Sequence, residues 1–239
     1  MVDLLVSIVV MSLLVAILLP SLVSANEMAR RAKCASNIRQ LGLGVQMYAY
    51  DFADIVPQSR FNDLTGANRG SEGEQTIYLR IDGDDWRNES GDRVFRGVSW
   101  DGLGILAKHN YADAPHVYYC PSHQGEHPYS KYKDVWTSQT GSIAGNYQYR
   151  ILEAGKSRLG NLKPSMTLIA DGMKSADDYN HRVGNNMLKA DLSVQWFTDT
   201  DGYILELLSG RGPAGSSIED AWRHLDQSTP VDSGPAGAN

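Results

Sequence analysis

Residues 2–52 read VDLLVSIVVMSLLVAILLPSLVSANEMARRAKCASNIRQLGLGVQMYAYDF. From Leu4 to Leu19 only Ser7 and Ser12 interrupt an apolar run. With its flanks the run reaches the roughly 20 residues a helix needs to cross a bilayer. In the second half Cys34, Ile38, Leu41, Val45, Tyr48 and Phe52 recur at alternating steps of four and three. That spacing is one stripe of an amphipathic helix. The pattern predicts a single helix, apolar all round at its start and striped at its end, roughly 75 Å long. Residues 1–24 are expected to be its transmembrane half and 25–55 its amphipathic half, followed by an α+β head over 56–226 and a disordered tail over 227–239.

The remaining chain is long enough for one domain with a real core, and 42% hydrophobic residues exclude wholesale disorder. A net charge of −6 argues against a nucleic-acid partner, which needs a basic face to displace phosphate counterions. Two cysteines, Cys34 and Cys120, are too few for an all-cysteine zinc site but enough for one disulfide. Val23-Ser24-Ala25 has the small residues of a signal-peptide cleavage site. The acid at Asp3, the missing basic n-region and the length of the apolar core favour a retained anchor.

An ionisable residue at the edge of a membrane segment is costly and marks a functional candidate. Asp3 followed by LLVSIVV, Pro20 seventeen residues after it, and RRAKCASNIRQLGLGVQMYAYD beyond resemble the N-terminal helix of type IV prepilin-like proteins and type II secretion pseudopilins. More narrowly they resemble the bacterial subgroup with an H-X9-DG signature. The resemblance implies an assembly role for Asp3, here in place of the usual Glu, and for Pro20 as a helix kink. It also implies a single-pass protein of the bacterial inner membrane with its C-terminal domain in the periplasm, and other pilin-like subunits as partners of the helix. In the family a short basic leader ending in Gly precedes an N-methylated residue. Here the sequence starts at Met1, so the leader lies upstream or the chain is unprocessed. Arg30, Arg31 and Lys33 would by charge alone pull their end of the anchor toward the cytoplasm, against the orientation the resemblance implies.

Pro57 is expected to end the helix, with Asp54, Ile55 and Val56 already extended. Strands are expected at Ile77–Ile81, Val94–Val98, Val117–Cys120, Ile143–Tyr149, Met166–Ala170, Asn186–Ala190 and Ser193–Thr198, with a short helix over Asp101–His109. Trp100 to Asp113, followed by VYYCPS, again resembles the pseudopilin-like subgroup. Ser216 and Glu219 form a capping box before a C-terminal helix with Ile218, Ala221, Trp222 and Leu225 on its apolar face. Few helices, many strand runs and one long leading helix predict an α+β fold in which an antiparallel sheet covers the helix stripe, as in pilins.

Cys34 lies on the inward stripe and Cys120 ends a strand expected beside it. In an oxidising compartment a disulfide would staple helix to sheet, two buried free thiols being the alternative. His181 and Asp191 have nine residues between them and resemble the H-X9-DG signature, with Leu192 in place of Gly. Asp191-Leu192 reads as the tip of a hairpin. A type I′ turn would force positive φ on Leu192, so another turn type or a bulge is expected. His181 reads as a loop residue that packs or hydrogen-bonds, a catalytic His–Asp pair being the alternative. His109, His116, His123 and His127 offer a metal site, but Pro121, Gly125 and Pro128 argue against the helix that would align the last two. Asp82-Gly-Asp-Asp85 and Asp199-Thr-Asp201-Gly202 read as solvated turns, neither completing a calcium loop. Some pseudopilins hold calcium in a late loop, which keeps calcium open; no other cofactor is expected.

With no P-loop, dinucleotide fingerprint, GxSxG or HExxH, the chain reads as a structural subunit rather than an enzyme. The competing reading is a membrane-tethered or secreted enzyme or carbohydrate-binding module, with Trp86, Trp100, Trp136 or Trp196 lining a site and His181 or Asp171 acting. Burial of those tryptophans would favour the first reading, and exposure in loops the second.

Overall fold

In the computed structural model, Val2–Asp51 form one continuous helix, α1, with Pro20 inside it. The structure describes residues 2–59, 77–87, 93–138, 140–150, 152, 157–210 and 218–228. None of the apolar window of α1 is buried within the molecule, whereas Cys34, Ile38, Leu41 and Val45 are wholly buried. The stripe therefore changes solvent partway along one rigid rod.

The stripe ends one step early. Phe52 is 39% exposed, because the helix stops at Asp51 and not at Pro57. Ala53 and Asp54 take left-handed backbone conformations, so Asp54 is not extended. The contacts that hold this stop are tertiary. The Asp54 carboxylate accepts from Gly160 N at 2.9 Å and its carbonyl from Leu159 N at 2.8 Å, while Arg158 Nη1 donates to Ala53 O at 2.7 Å.

Among the described residues, two antiparallel sheets lie beyond the helix. The first has the order β2-β1-β3, with β1 Tyr78–Arg87, β2 Arg93–Trp100 and β3 Ile143–Ala144. The second has the order β4-β5-β6-β7, with β4 Tyr147–Tyr149, β5 Thr167–Asp171, β6 Gly184–Lys189 and β7 Val194–Thr198. The single strand expected over Ile143–Tyr149 is thus two, divided at Gly145-Asn146, where the chain crosses between sheets. Asp82–Asp85 belong to β1 and are not a turn. Val117–Cys120 is not a strand either: Pro115–Tyr118 form a 3-10 turn against α1, started by the fixed φ of Pro115.

Three short helices follow the expected pattern or add to it. Helix α2, Gly104–Lys108, buries Leu106 with Leu103 just before it. Helix α3, Tyr129–Thr137, begins directly after Pro128 and was not legible as a helix. Helix α4, Tyr203–Leu208, was also unforeseen. The last helix, α5, Ile218–Gln227, buries Ala221, Trp222 and Leu225 as its spacing predicts. Ser216 of the capping box and residues 229–239 of the tail lie outside the described residues.

Helix α1 packs on one face of the four-stranded sheet and α4 with α5 cover the other. Leu168, Ile169 and Leu188 join the core around the α1 stripe. Ala170, Met187 and Phe197 join a second core with Ile204, Trp222 and Leu225. Both faces are therefore dry, which is why β6 is buried at every position. Gly42 permits the close approach, since a Cβ there would lie 2.7 Å from Leu188 Cδ1.

Candidate functional site: a buried imidazole where the long helix meets the sheet

The stripe of α1 continues backward from Cys34 through Arg31 to Glu27, again at steps of three and four. Polar residues at inward positions have to meet something polar. Glu27 Oε1 lies 2.7 Å from His181 Nδ1, and Glu27 Oε2 accepts from Ser122 Oγ at 3.1 Å. The His181 side chain is fully buried, in the loop before β6. Its other nitrogen, Nε2, is 3.5 Å from Asp171 Oδ2 and 3.5 Å from Cys120 Sγ. Asp171 ends β5 and accepts from the backbone N (2.7 Å) and Nδ2 (3.0 Å) of Asn186. Arg31 Nε stands 3.5 Å from Glu27, and its guanidinium lies 4.5 Å over the Trp196 ring, so this cation is used inside the head. Trp196 also presents an edge contact to His181 at 5.5 Å.

Cys34 and Cys120 form a disulfide, with Cα atoms 5.3 Å apart, tying α1 to the segment after the 3-10 turn. Beside it Asn37 donates to Tyr119 O at 3.1 Å and Tyr147 Oη at 3.3 Å. The junction of helix and sheet thus carries one covalent bond, one ion-pair chain and one buried amide.

The two carboxylates that flank His181 are driven in opposite directions. Burial pushes the Asp171 carboxyl up, outweighing the His181 charge and the Asn186 hydrogen bonds. At Glu27 burial also pushes upward, but the hydrogen bond and charge of His181, with Ser122 and Arg31, prevail and hold it below its ordinary 4.5. A depressed carboxyl contributes stability that is present above its unfolded value and lost as pH falls through its folded one. At pH 7 Glu27→Gln is expected to cost about 1 kcal/mol, a figure kept small because Glu27 is a third exposed. Melting curves of both proteins from neutral to acid pH should show the gap closing below 4.5. A gap that does not change with pH would contradict this account.

His181 and Asp191 are not brought together. They flank opposite ends of β6, whose six residues span roughly 20 Å, so the catalytic His–Asp pair has no geometric basis. Asp191 is the turn former. Leu192 N donates to Lys189 O at 2.9 Å, Lys189 N to Ser193 O at 2.9 Å, and Leu192 alone of the loop has positive φ, at 66°. This is a three-residue loop with a bulge in which Leu192 holds the left-handed position that suits glycine. His181 is more than a loop residue that packs: it links two elements.

The other expected sites resolve into structural parts. His123 Nδ1 meets Asn180 Oδ1 at 2.7 Å, and His127 Nδ1 meets Tyr132 Oη at 2.6 Å. His109 stacks on Tyr111 and makes edge contacts with Tyr48 and Phe52. Asp82 accepts from Gly141 N. Asp199 caps α4 through Ile204 N and Leu205 N, although with Asp201 and His224 it offers ligand atoms within 4.8 Å of one another. Trp100, Trp136 and Trp196 are half-buried, and Trp136 lies 5.8 Å from Trp100 and 5.3 Å from Tyr118. The Trp86 side chain lies outside the described residues. Asp3 sits exposed in the first turn of α1, its carbonyl accepting from Ser7 Oγ at 2.8 Å, and the helix runs through Pro20.

A family model described as "Protein of unknown function (DUF1559)" matches residues 23–161, more than half of the chain. The chain belongs to this family. DUF1559 is a family of pilin-like type, and the apolar helix ahead of the matched region fits a prepilin-like segment and a membrane anchor. No curated protein and no solved structure matches the chain. In this DUF1559 chain the matched region holds the stripe, the disulfide and the first sheet, while Asp171 and His181 come from beyond it.

Sequence reading missed Glu27. The available signal was its place on the inward face, seven residues before Cys34. Nothing local singles out Ser122, whose partner Glu27 is 95 residues away, or Asn186, which meets Asp171 only across the sheet.

Proposed function

We propose that this chain is a membrane-anchored, pseudopilin-like structural subunit of a type II secretion or type IV pilus-like envelope assembly. One observation carries the reading: a single 50-residue helix is bare over its apolar half and welded to a folded head over its striped half. A rod of this kind holds a head at a fixed distance and angle from the bilayer. Leaving lipid for neighbouring rods exchanges apolar contacts for apolar contacts. The anchor lies in the bacterial inner membrane with the head in the periplasm, where the disulfide is at home.

Within the assembly Asp3 pairs with the amino terminus of a neighbouring subunit and sets axial register, a role in which a buried ion pair gives specificity more than stability. Asp3→Ala is expected to abolish in-membrane crosslinking between full-length subunits while the head melts at an unchanged temperature. Crosslinking at the parent level would overturn the reading. Of the tryptophans named for a carbohydrate or enzyme site, Trp100 and Trp136 are half-buried and packed against the core and Trp196 is half-buried beneath the Arg31 guanidinium, which favours neither alternative.

A further inference from the structure

Four potential metal ligands converge at the helix–sheet junction. Cys34 comes from α1, Cys120 from the segment after the 3-10 turn, Asp171 from the end of β5 and His181 from the loop before β6. All four residues are buried, and their ligand atoms lie within 4.8 Å of one another. In the disulfide form the sulfurs are bonded to each other and are not ligands. We propose that in the dithiol form this cluster binds one thiophilic divalent cation of the zinc type, through both sulfurs, His181 Nε2 and an Asp171 carboxylate oxygen.

The spacing around His181 carries the inference. With metal–ligand bonds of about 2.0–2.3 Å, the edges of a tetrahedral site come to about 3.3–3.8 Å. His181 Nε2 stands 3.5 Å from Asp171 Oδ2 and 3.5 Å from Cys120 Sγ. A charge-assisted N–H···O bond would be about 2.7–2.9 Å. The imidazole is thus spaced for a shared ion rather than for a direct bond. Asn186 Nδ2, also 3.5 Å from Nε2, is turned to Asp171 at 3.0 Å. Asp171 Oδ1 is buried without an ordinary hydrogen bond.

The surroundings are those of a metal-binding histidine. Glu27 Oε1, 2.7 Å from Nδ1, holds a proton on that nitrogen, so that an incoming cation displaces any proton on Nε2 and takes the lone pair that faces the cluster. Ser122 Oγ fixes the Glu27 carboxylate in turn, at 3.1 Å. Two thiolates, an imidazole and a carboxylate form a donor set suited to zinc. Conversion is a two-electron step. A dithiol reductant passes two electrons and two protons to the Cys34–Cys120 bond and becomes a disulfide itself. The cation then displaces both thiol protons to solvent, and the sulfurs separate to about 3.8 Å. Disulfide and metal are mutually exclusive, and neither depends on what the anchor assembles with.

The test uses the full-length chain in detergent, with Co²⁺ as the spectroscopic probe, before and after anaerobic reduction by a phosphine. Circular dichroism follows the fold throughout. The reduced protein is expected to take up one Co²⁺ per chain with thiolate-to-cobalt charge-transfer and tetrahedral d–d bands, and Zn²⁺ should bleach them. The disulfide form should show neither band. Glu27→Gln, which keeps all four ligands, should weaken cobalt binding by about 10–100-fold. His181→Ala and Asp171→Asn should each weaken it further and alter the d–d spectrum. The proposal is overturned if the reduced chain shows no tetrahedral bands, whether folded or not. It is equally overturned if the bands survive unchanged in both the His181 and Asp171 variants.

Discussion

A chain carrying Cys34→Ala and Cys120→Ala together is expected to unfold roughly 10–15 °C below the parent, a loss of about 4–5 kcal/mol. The bond closes a sequence separation of 86 residues. In the chain-entropy model, a loop of that size costs the unfolded ensemble much of its freedom when closed. Both residues are buried where α1 meets the head, so the variant also loses packing at its most enclosed point. The measurement is thermal unfolding of full-length protein in detergent with a chelator present. The parent reduced by a phosphine should show most of the same shift, keeping only the packing of its two thiols. A shift of less than about 3 °C would mean that the stripe alone holds the helix on the sheet.

Arg80→Ala is expected to cost about 4 kcal/mol, through backbone rather than side-chain partners. Arg80 lies on β1 and is 3% exposed. Its Nε donates to Gly141 O at 2.8 Å and Nη1 to Ser138 O at 2.8 Å. Its Nη2 donates to Val135 O at 2.9 Å and Thr140 O at 2.7 Å. Val135 is in the last turn of α3, where the helix carries a partial negative charge, and Ser138, Thr140 and Gly141 belong to the cap and the turn after it. One guanidinium donates to all four carbonyls and ties the end of α3 and its turn to the first sheet. Each charged hydrogen bond is worth about 1.5–3 kcal/mol alone, but the four are not additive. Arg80→Lys keeps the charge but not the planar fork, and should recover less than half of the loss. Urea unfolding checks both, with the midpoint falling and the slope unchanged. A lysine variant as stable as the parent would overturn the argument.

The features legible in the sequence are those set by local periodicity or composition. The apolar run and the stripe that follows it are visible because a helix returns to the same face every three or four residues, whatever it packs against. Cys34 was readable as inward for the same reason, and so were Trp222 and Leu225 on α5. The β6–β7 hairpin was legible because strand residues flank a short tip around Asp191. Of the two outcomes expected there, another turn type or a bulge, the structure has the bulge, and Leu192 adopts positive φ in it despite the steric cost.

Other features are decided by partners distant in the chain. Ile143–Tyr149 has the composition of one strand, yet β1 claims its first part and β5 its last. The helix could have continued past Asp51, but Arg158, Leu159 and Gly160 dock on the residues that follow and turn the chain. Glu27, Asp171 and His181 are ordinary polar residues until three elements meet, for a charge gains its partner only when folding removes the water between them. Local sequence determined that this protein has a greasy rod with one sticky seam. Only the tertiary structure decided which groups are shut in beneath that seam.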